Sequence, residues 1–148
     1  VLILESVEKP GNLGAVLRVA DGCNADAVII CDPKTDLYNP NVIRSSVGCI
    51  FTRQLGIASS EECQAWLTKN KFNTYMASPD AEELHFDADF SGATALVFGT
   101  EATGLSDKWM RFGKLIKIPM LGKNDSLNVA TSVAILSYEA LRQRNSGK

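Results

Sequence analysis

A chain of 148 residues that is 45% hydrophobic and 22% charged, with a formal net charge of -2, has the composition of one soluble globular domain rather than of a disordered tail. No apolar run nears the roughly 18 residues that a bilayer span needs, and the first residues lack a basic start and a small-residue cleavage site; a cytoplasmic location without a membrane partner is expected. The charge is uneven, since residues 1–107 carry 7 Lys or Arg against 15 Asp or Glu, whereas residues 108–148 carry 8 against 2 and form a basic last quarter.

In chain order, short β-rich runs alternate with helical patterns. Residues 1–7 (VLILESV), 27–32 (AVIICD), 51–57 (FTRQLGI), 72–77 (FNTYMA), 93–99 (ATALVFG) and 115–120 (LIKIPM) read as strands, mostly continuous apolar runs of the kind buried on both faces. Asn12 is the expected N-cap of LGAVLRVA, with Gly22 at its far end, and Ser59 with Glu62 is expected to form a capping box opening ECQAWLTKN. Residues 106–113 read as a short helix. The last helix runs from about Ser126, a candidate N-cap, to Arg144; it is apolar on nearly all sides through its first three turns, which predicts packing inside the molecule. Cys23, Cys31, Cys49 and Cys63 show no metal-ligand spacing and are expected to be reduced structural thiols, with no metal bound.

Strands alternating with helices predict an α/β fold, a mostly parallel sheet with helices on both faces, as a single domain over residues 1–148. The chain opens with valine inside an apparent strand, so a piece of a longer protein is expected. Parallel sheets bind ligands beyond the carboxyl ends of their strands, which directs attention to residues 5–13, 99–106 and 121–126. In the second of these, GTEATGLSD spaces its glycines and serine like a phosphate-binding loop but has Leu105 in place of the lysine and a carboxylate, Glu101, inside. An ATP site is therefore disfavoured. A dinucleotide site is disfavoured too, because PGNLG lacks G-x-G-x-x-G and only Asp32 offers an acid at the end of the second strand.

Taken together the three loops, with N-L-G-A-x-x-R, F-G-x-E-x-x-G-L and I-x-I-P-M-x-G-x-x-x-S-L-N-V-A-x-S, resemble the three motifs of the SpoU (TrmH-like) branch of the SPOUT RNA methyltransferases. The resemblance implies an S-adenosyl-L-methionine-dependent methyl transfer to a ribose 2'-hydroxyl of tRNA or rRNA. It also implies a C-terminal deep trefoil knot and an active site formed across a homodimer. Carried over residue by residue, it gives Gly99, Thr100, Ile118, Met120, Ser126 and Leu127 as cofactor-binding residues. Arg18, Asn12, Glu101 and Asn128 become the catalytic set. A guanidinium is a poor base, so Arg18 is read as a phosphate clamp and a stabiliser of charge developing on the 2'-oxygen. Asn12 and Asn128 are expected to orient substrate or fix the loops, and Glu101 to anchor a catalytic arginine or its own loop. Family members often carry an N-terminal RNA-binding extension, so this stretch alone is expected to bind cofactor but to methylate RNA poorly.

Plainer roles stand beside these. Asn12 and Ser126 could be helix caps and nothing more. Asn128, early in an apolar helix, is expected to be a buried amide with partners. His85 reads as a surface residue, Trp66 and Trp109 as packing residues, the latter with a second reading near a dimer contact. Arg44 and Ser46 are candidates for a place near substrate RNA. Two rival functions are a SPOUT-type base N-methyltransferase and a non-catalytic cofactor- or RNA-binding module.

Overall fold

Six strands form one parallel sheet in the order β3-β2-β1-β5-β4-β6, in a computed structural model that describes residues 1–147. Lys148, counted above in the basic last quarter, lies outside the described residues. The strands are β1 (Leu2–Glu5), β2 (Val28–Cys31), β3 (Leu55–Ala58), β4 (Asn73–Ala77), β5 (Thr94–Phe98) and β6 (Lys114–Ile116). The helices are α1 (Pro10–Gly22), α2 (Pro40–Ser46), α3 (Ser60–Lys69), α4 (Asp107–Met110) and α5 (Val129–Ser146). Among the described residues no helix is long and apolar enough to cross a membrane.

The continuous apolar runs are explained by cover on both faces. Leu2 and Leu4 of β1, Val28 and Ile30 of β2, and Leu96 and Phe98 of β5 join α1 and α5 in one core. The intervening Ile3, Cys31, Ala95 and Val97 face a second core built with Cys63 and Leu67 of α3 and Trp109 of α4. Trp109 is fully buried and donates its indole N–H to Ser60 Oγ at 2.9 Å, while Ser60 Oγ donates to Asp32 at 2.6 Å. Asp32 therefore anchors α3 rather than a ribose, and Trp109 is core. Trp66 corrects the packing expectation: it is 41% exposed, lying against Phe72 with ring centroids 5.0 Å apart. All four cysteines are free thiols.

Several boundaries differ from expectation. The strand expected over 51–57 is instead Leu55–Ala58; Cys49–Phe51 is a 3-10 turn, because Val47 and Gly48, with φ of 51° and 84°, turn the chain away and leave Phe51 68% exposed. The expected strand 115–120 ends at Ile116, after which Lys117 pairs with the 83–85 segment and Pro119 has no N–H to give. Helix α2 is unannounced by any apolar period; Asn39 caps it by accepting from Asn41 N at 2.9 Å, and Pro40 takes the first position. The capping box of Ser59 and Glu62 forms reciprocally, at 3.1 and 2.8 Å. Helix α5 is not packed inside: Val133, Leu136, Ser137 and Ala140 are buried, but Tyr138 is 49% exposed.

From β1 the chain builds outward through β2 to β3, and later returns on the other side of β1 with β5, β4 and β6. The direction of winding switches between β1 and β5. A crevice at the carboxyl ends of the strands there is the general ligand position of such sheets.

Candidate active site

The loop after β5 closes on itself. Thr100 N–H donates to Gly104 O at 3.2 Å and Gly104 N–H to Thr100 O at 2.9 Å, with Gly104 at a φ of 67°. A Cβ on Gly99 would stand 2.2 Å from the Gly104 carbonyl, so the first glycine is required by the loop's own packing as well as by any ligand. Glu5, buried at the end of β1, accepts from Ser106 N at 2.8 Å and ties the far end of the loop to the sheet. The motif reading did not single out Glu5; an acid closing a β1 run otherwise apolar is the signal that could have done so.

Three remote segments meet at Glu101. Its Oε1 accepts from the Asn128 side-chain amide at 2.6 Å and from Val129 N at 3.3 Å, and its Oε2 accepts from Lys9 Nζ at 3.0 Å. Asn128 also donates to Asn12 Oδ1 at 3.1 Å. The Lys9 hydrogen bond, with that of Val129 N next, holds the Glu101 carboxyl below the usual carboxylate range. Within this chain Glu101 thus anchors its own loop to Lys9 and Asn128. Lys9 is a site residue that sequence reasoning missed, lying in the first loop without a motif position.

Both expected caps are corrected. Asn12 is not the N-cap of α1, because the helix begins at Pro10 with Lys9 as its cap, a first position suited to a residue without an N–H. Its side chain is thereby free for Asn128. Ser126 is not the cap of α5; Asn128 is, accepting from Ala130 N at 2.9 Å and Thr131 N at 3.4 Å. Asn128 is exposed rather than buried, and its amide and carbonyl ends do different work.

Beyond the ends of β4, β5 and β6 lies a cleft of about 360 Å³, and all six expected cofactor residues line it: Gly99, Thr100, Ile118, Met120, Ser126 and Leu127. That volume suits a nucleoside-sized ligand. Its charged lining residues are Asp80, Glu101 and Asp125, all acidic, with no Lys or Arg among them. Asp80 and Asp125 were not anticipated. A second cleft of about 260 Å³, lined by Glu5, Lys9 and Asn12, shares residues 99–102 and Val129 with the first as a common wall.

Arg18 is not brought to this cluster. Six residues beyond Asn12 a helix has advanced about 9 Å and turned well off the same face, and Arg18 is exposed, lining neither cleft. Arg44 is exposed at the end of α2. Ser46 is fully buried and donates to Ile43 O at 2.9 Å, which removes it as an RNA contact. His85 is half-buried rather than on the surface, with its N–H of the backbone bound to Lys117 O.

The model of the SpoU rRNA Methylase family matches residues 1–138. The chain is 32% identical to a 23S rRNA (uridine(2479)-2'-O)-methyltransferase of Streptomyces viridochromogenes, over 99% of this chain and 54% of that protein. It is 35% identical to the 23S rRNA (guanosine-2'-O-)-methyltransferase RlmB of Xanthomonas axonopodis pv. citri, over 97% of this chain and 59% of that one. It also superposes on the SpoU methyltransferase AviRb from Streptomyces viridochromogenes in complex with the cofactor AdoMet, with a TM-score of 0.93 and 31% identity, covering 99% of this chain and 60% of that one. The chain spans a little over half the length of the relatives it matches.

Proposed function

The chain belongs to the SpoU rRNA methylase family, and from that premise we propose that it transfers a methyl group from S-adenosyl-L-methionine to a ribose 2'-hydroxyl of rRNA or tRNA. The observation that carries this reading is the charge of the larger cleft: Asp80 and Asp125, beside a Glu101 already paired with Lys9, and no cation among its lining residues suit a sulfonium and repel a phosphate chain. When bound, S-adenosyl-L-methionine supplies an electrophilic methyl carbon on that sulfonium.

Gly99, Thr100, Ile118, Met120, Ser126 and Leu127 would hold the cofactor, the apolar side chains excluding water and the exposed backbone giving close contact. The smaller cleft across the shared wall would take the acceptor ribose, with Asn12 and Asn128 as orienting amides. Glu101, held ionised by Lys9 and Val129 N, fixes both amides in place. Much of the rate in such a reaction comes from holding the attacking oxygen in line. Arg18 is assigned as the phosphate clamp and stabiliser of charge on the 2'-oxygen.

Since Arg18 is exposed, lines neither of its own chain's clefts and pairs with no carboxylate among the described residues, we assign it to the site of a second copy in a homodimer. The half-exposed Tyr138 on α5, the helix packed beside α1, supports a partner on that side. A trefoil knot in the C-terminal segment is part of the same reading, supported by the way residues 99–105 and 116–129 wall a single cleft. Residues 1–148 are proposed as a methyltransferase catalytic domain. Calorimetric titration with S-adenosyl-L-methionine tests the reading first: micromolar binding is expected, and no binding would remove it.

A further inference from the structure

The cations of the basic last quarter are not equivalent. Lys108 pairs with Glu61, Arg142 pairs with Glu139, and Arg144 donates to the carbonyls of Phe90 and Gly92. Lys117 and Lys123 belong to the strand end and loop beside the cofactor cleft. Arg111 and Lys114 remain, exposed and without a hydrogen-bonded partner among the described residues, and they stand with two further unpaired lysines, Lys69 and Lys71, from the end of α3.

Of these four, Lys71 and Lys114 stand at the amino-terminal ends of β4 and β6, the opposite end of the sheet from the cleft beyond β5. A cavity of about 350 Å³ opens there, lined by Thr68, Lys71, Phe72, Asn73, Phe112 and Lys114 among others. Aromatic surface is interleaved with the charge. Trp66, 41% exposed, lies against Phe72 on one side, and Phe112, half-buried, stands edge-on to Trp109 on the other with centroids 5.5 Å apart. Lys114 Nζ lies 5.9 Å from the Tyr75 ring centroid; Asp89 feels its charge but makes no ion pair with it. The floor is backbone, since a Cβ on Gly113 would stand 2.5 Å from Thr74 O.

We propose that this corner, between the end of α3 and the starts of β4 and β6, is a second binding surface for single-stranded RNA, with Lys71 and Lys114 meeting phosphates and the Trp66 and Phe112 faces receiving bases. Partly exposed rings flanked by unpaired cations are the usual platform for unpaired nucleotides. An acidic peptide would satisfy the lysines but leave the ring faces unused. The surface rests on the RNA-modifying reading only for the identity of its polymer. Along β4 it lies about 13 Å from the cofactor cleft, so one folded RNA can touch both while each is altered separately.

Fluorescence anisotropy of a labelled 12-nucleotide single-stranded RNA of mixed sequence, titrated with the full chain across a salt series, tests the proposal. The Lys71→Gln/Lys114→Gln variant is expected to bind roughly 10-fold more weakly near ~0.1 M salt, and the slope of log affinity against log salt to shrink by about 1.4, for two lost phosphate contacts. Quenching of Trp fluorescence by the same RNA should vanish in Trp66→Phe. Unchanged affinity and slope in the double variant would overturn the proposal, as would a wild type that binds no RNA or prefers a polyglutamate peptide at equal salt. Calorimetric affinity for S-adenosyl-L-methionine is expected to be the same in wild type and double variant; its absence from both would sink the proposed function and leave the RNA surface standing on its own readout.

Discussion

Glu101 Oε1 receives the Asn128 side-chain amide at 2.6 Å, bridging 27 residues and joining the loop after β5 to the cap of α5. The same amide donates to Asn12, so one carboxylate positions two amides from opposite ends of the chain. Glu101→Ala should lower methyl transfer about 100-fold, the cost of a small misplacement of reacting groups. Lys9→Ala should lower it by no more than ~3-fold, because that ammonium is exposed and its pair is weak. Steady-state transfer of a tritiated methyl group to rRNA checks both.

Arg18 gives a sharper test of the homodimer. Arg18→Ala is expected to abolish transfer while leaving the calorimetric affinity for the cofactor unchanged, since it lines neither cleft of its own chain. Mixing inactive Arg18→Ala with inactive Asn128→Ala should restore activity, because some mixed dimers hold one site with both residues intact. Failure of the mixture, with subunit exchange verified, would place Arg18 in its own chain's site.

Much of this was legible in the sequence where the physics is local. The six positions expected to bind cofactor line one cleft because they lie just beyond β5 and β6 or just before α5, and a parallel sheet gathers such residues at one end. The capping box at Ser59 is local too. What could not be read depended on three-dimensional context: Lys9 carries no motif, α2 has no apolar period, and Phe51 sits in a β-like run that two left-handed residues turn out to solvent. Asn12 and Ser126 fit the composition of a cap, but Lys9, with Pro10 at the first helical position, and Asn128 take those roles. The knot, the dimer and the site roles came from resemblance, and periodicity offers no route to any of them.

Gly99→Ala should damage the cofactor cleft from within. The added methyl meets the Gly104 backbone, which cannot rotate aside as a side chain would, so the loop carrying Glu101 must shift. Cofactor affinity is expected to fall roughly 10- to 100-fold, or about 1.4 to 2.8 kcal/mol. Isothermal titration reads this directly; wild-type affinity would mean that the loop is more compliant than its mutual Thr100–Gly104 hydrogen bonds imply.

The acidic lining predicts selectivity for charge. Asp80→Asn and Asp125→Asn should weaken S-adenosyl-L-methionine, whose sulfonium is cationic, more than the uncharged thioether product, by roughly 2- to 5-fold each given their exposure to solvent. Competition titrations with both ligands measure the ratio. Equal losses for the two would mean that these carboxylates act on shape rather than charge.

Glu139 supplies a pH dependence remote from the chemistry. Hydrogen bonds from Arg142, and then Gln143, hold its carboxyl at about 2 against an ordinary 4.5, and Gln143 in turn pins Ala88 and Phe90 to α5. A lowered carboxyl stabilises the fold above its unfolded value and loses that contribution as pH falls through the folded one. Glu139→Gln should therefore lower Tm by a few degrees at pH 7, with the gap closing between about pH 4.5 and 2. A gap that persists at pH 2 would assign the loss to packing.

The methyl group is expected on a ribose 2'-oxygen and not on a base. After incubation of rRNA with the protein and isotope-labelled S-adenosyl-L-methionine, nuclease digestion and mass spectrometry of the nucleosides locate the label. Label is expected on the ribose of a 2'-O-methylated nucleoside, at a site resistant to alkaline cleavage. Label on a base would contradict the ribose assignment, and binding of the cofactor without transfer to any RNA would contradict catalysis itself.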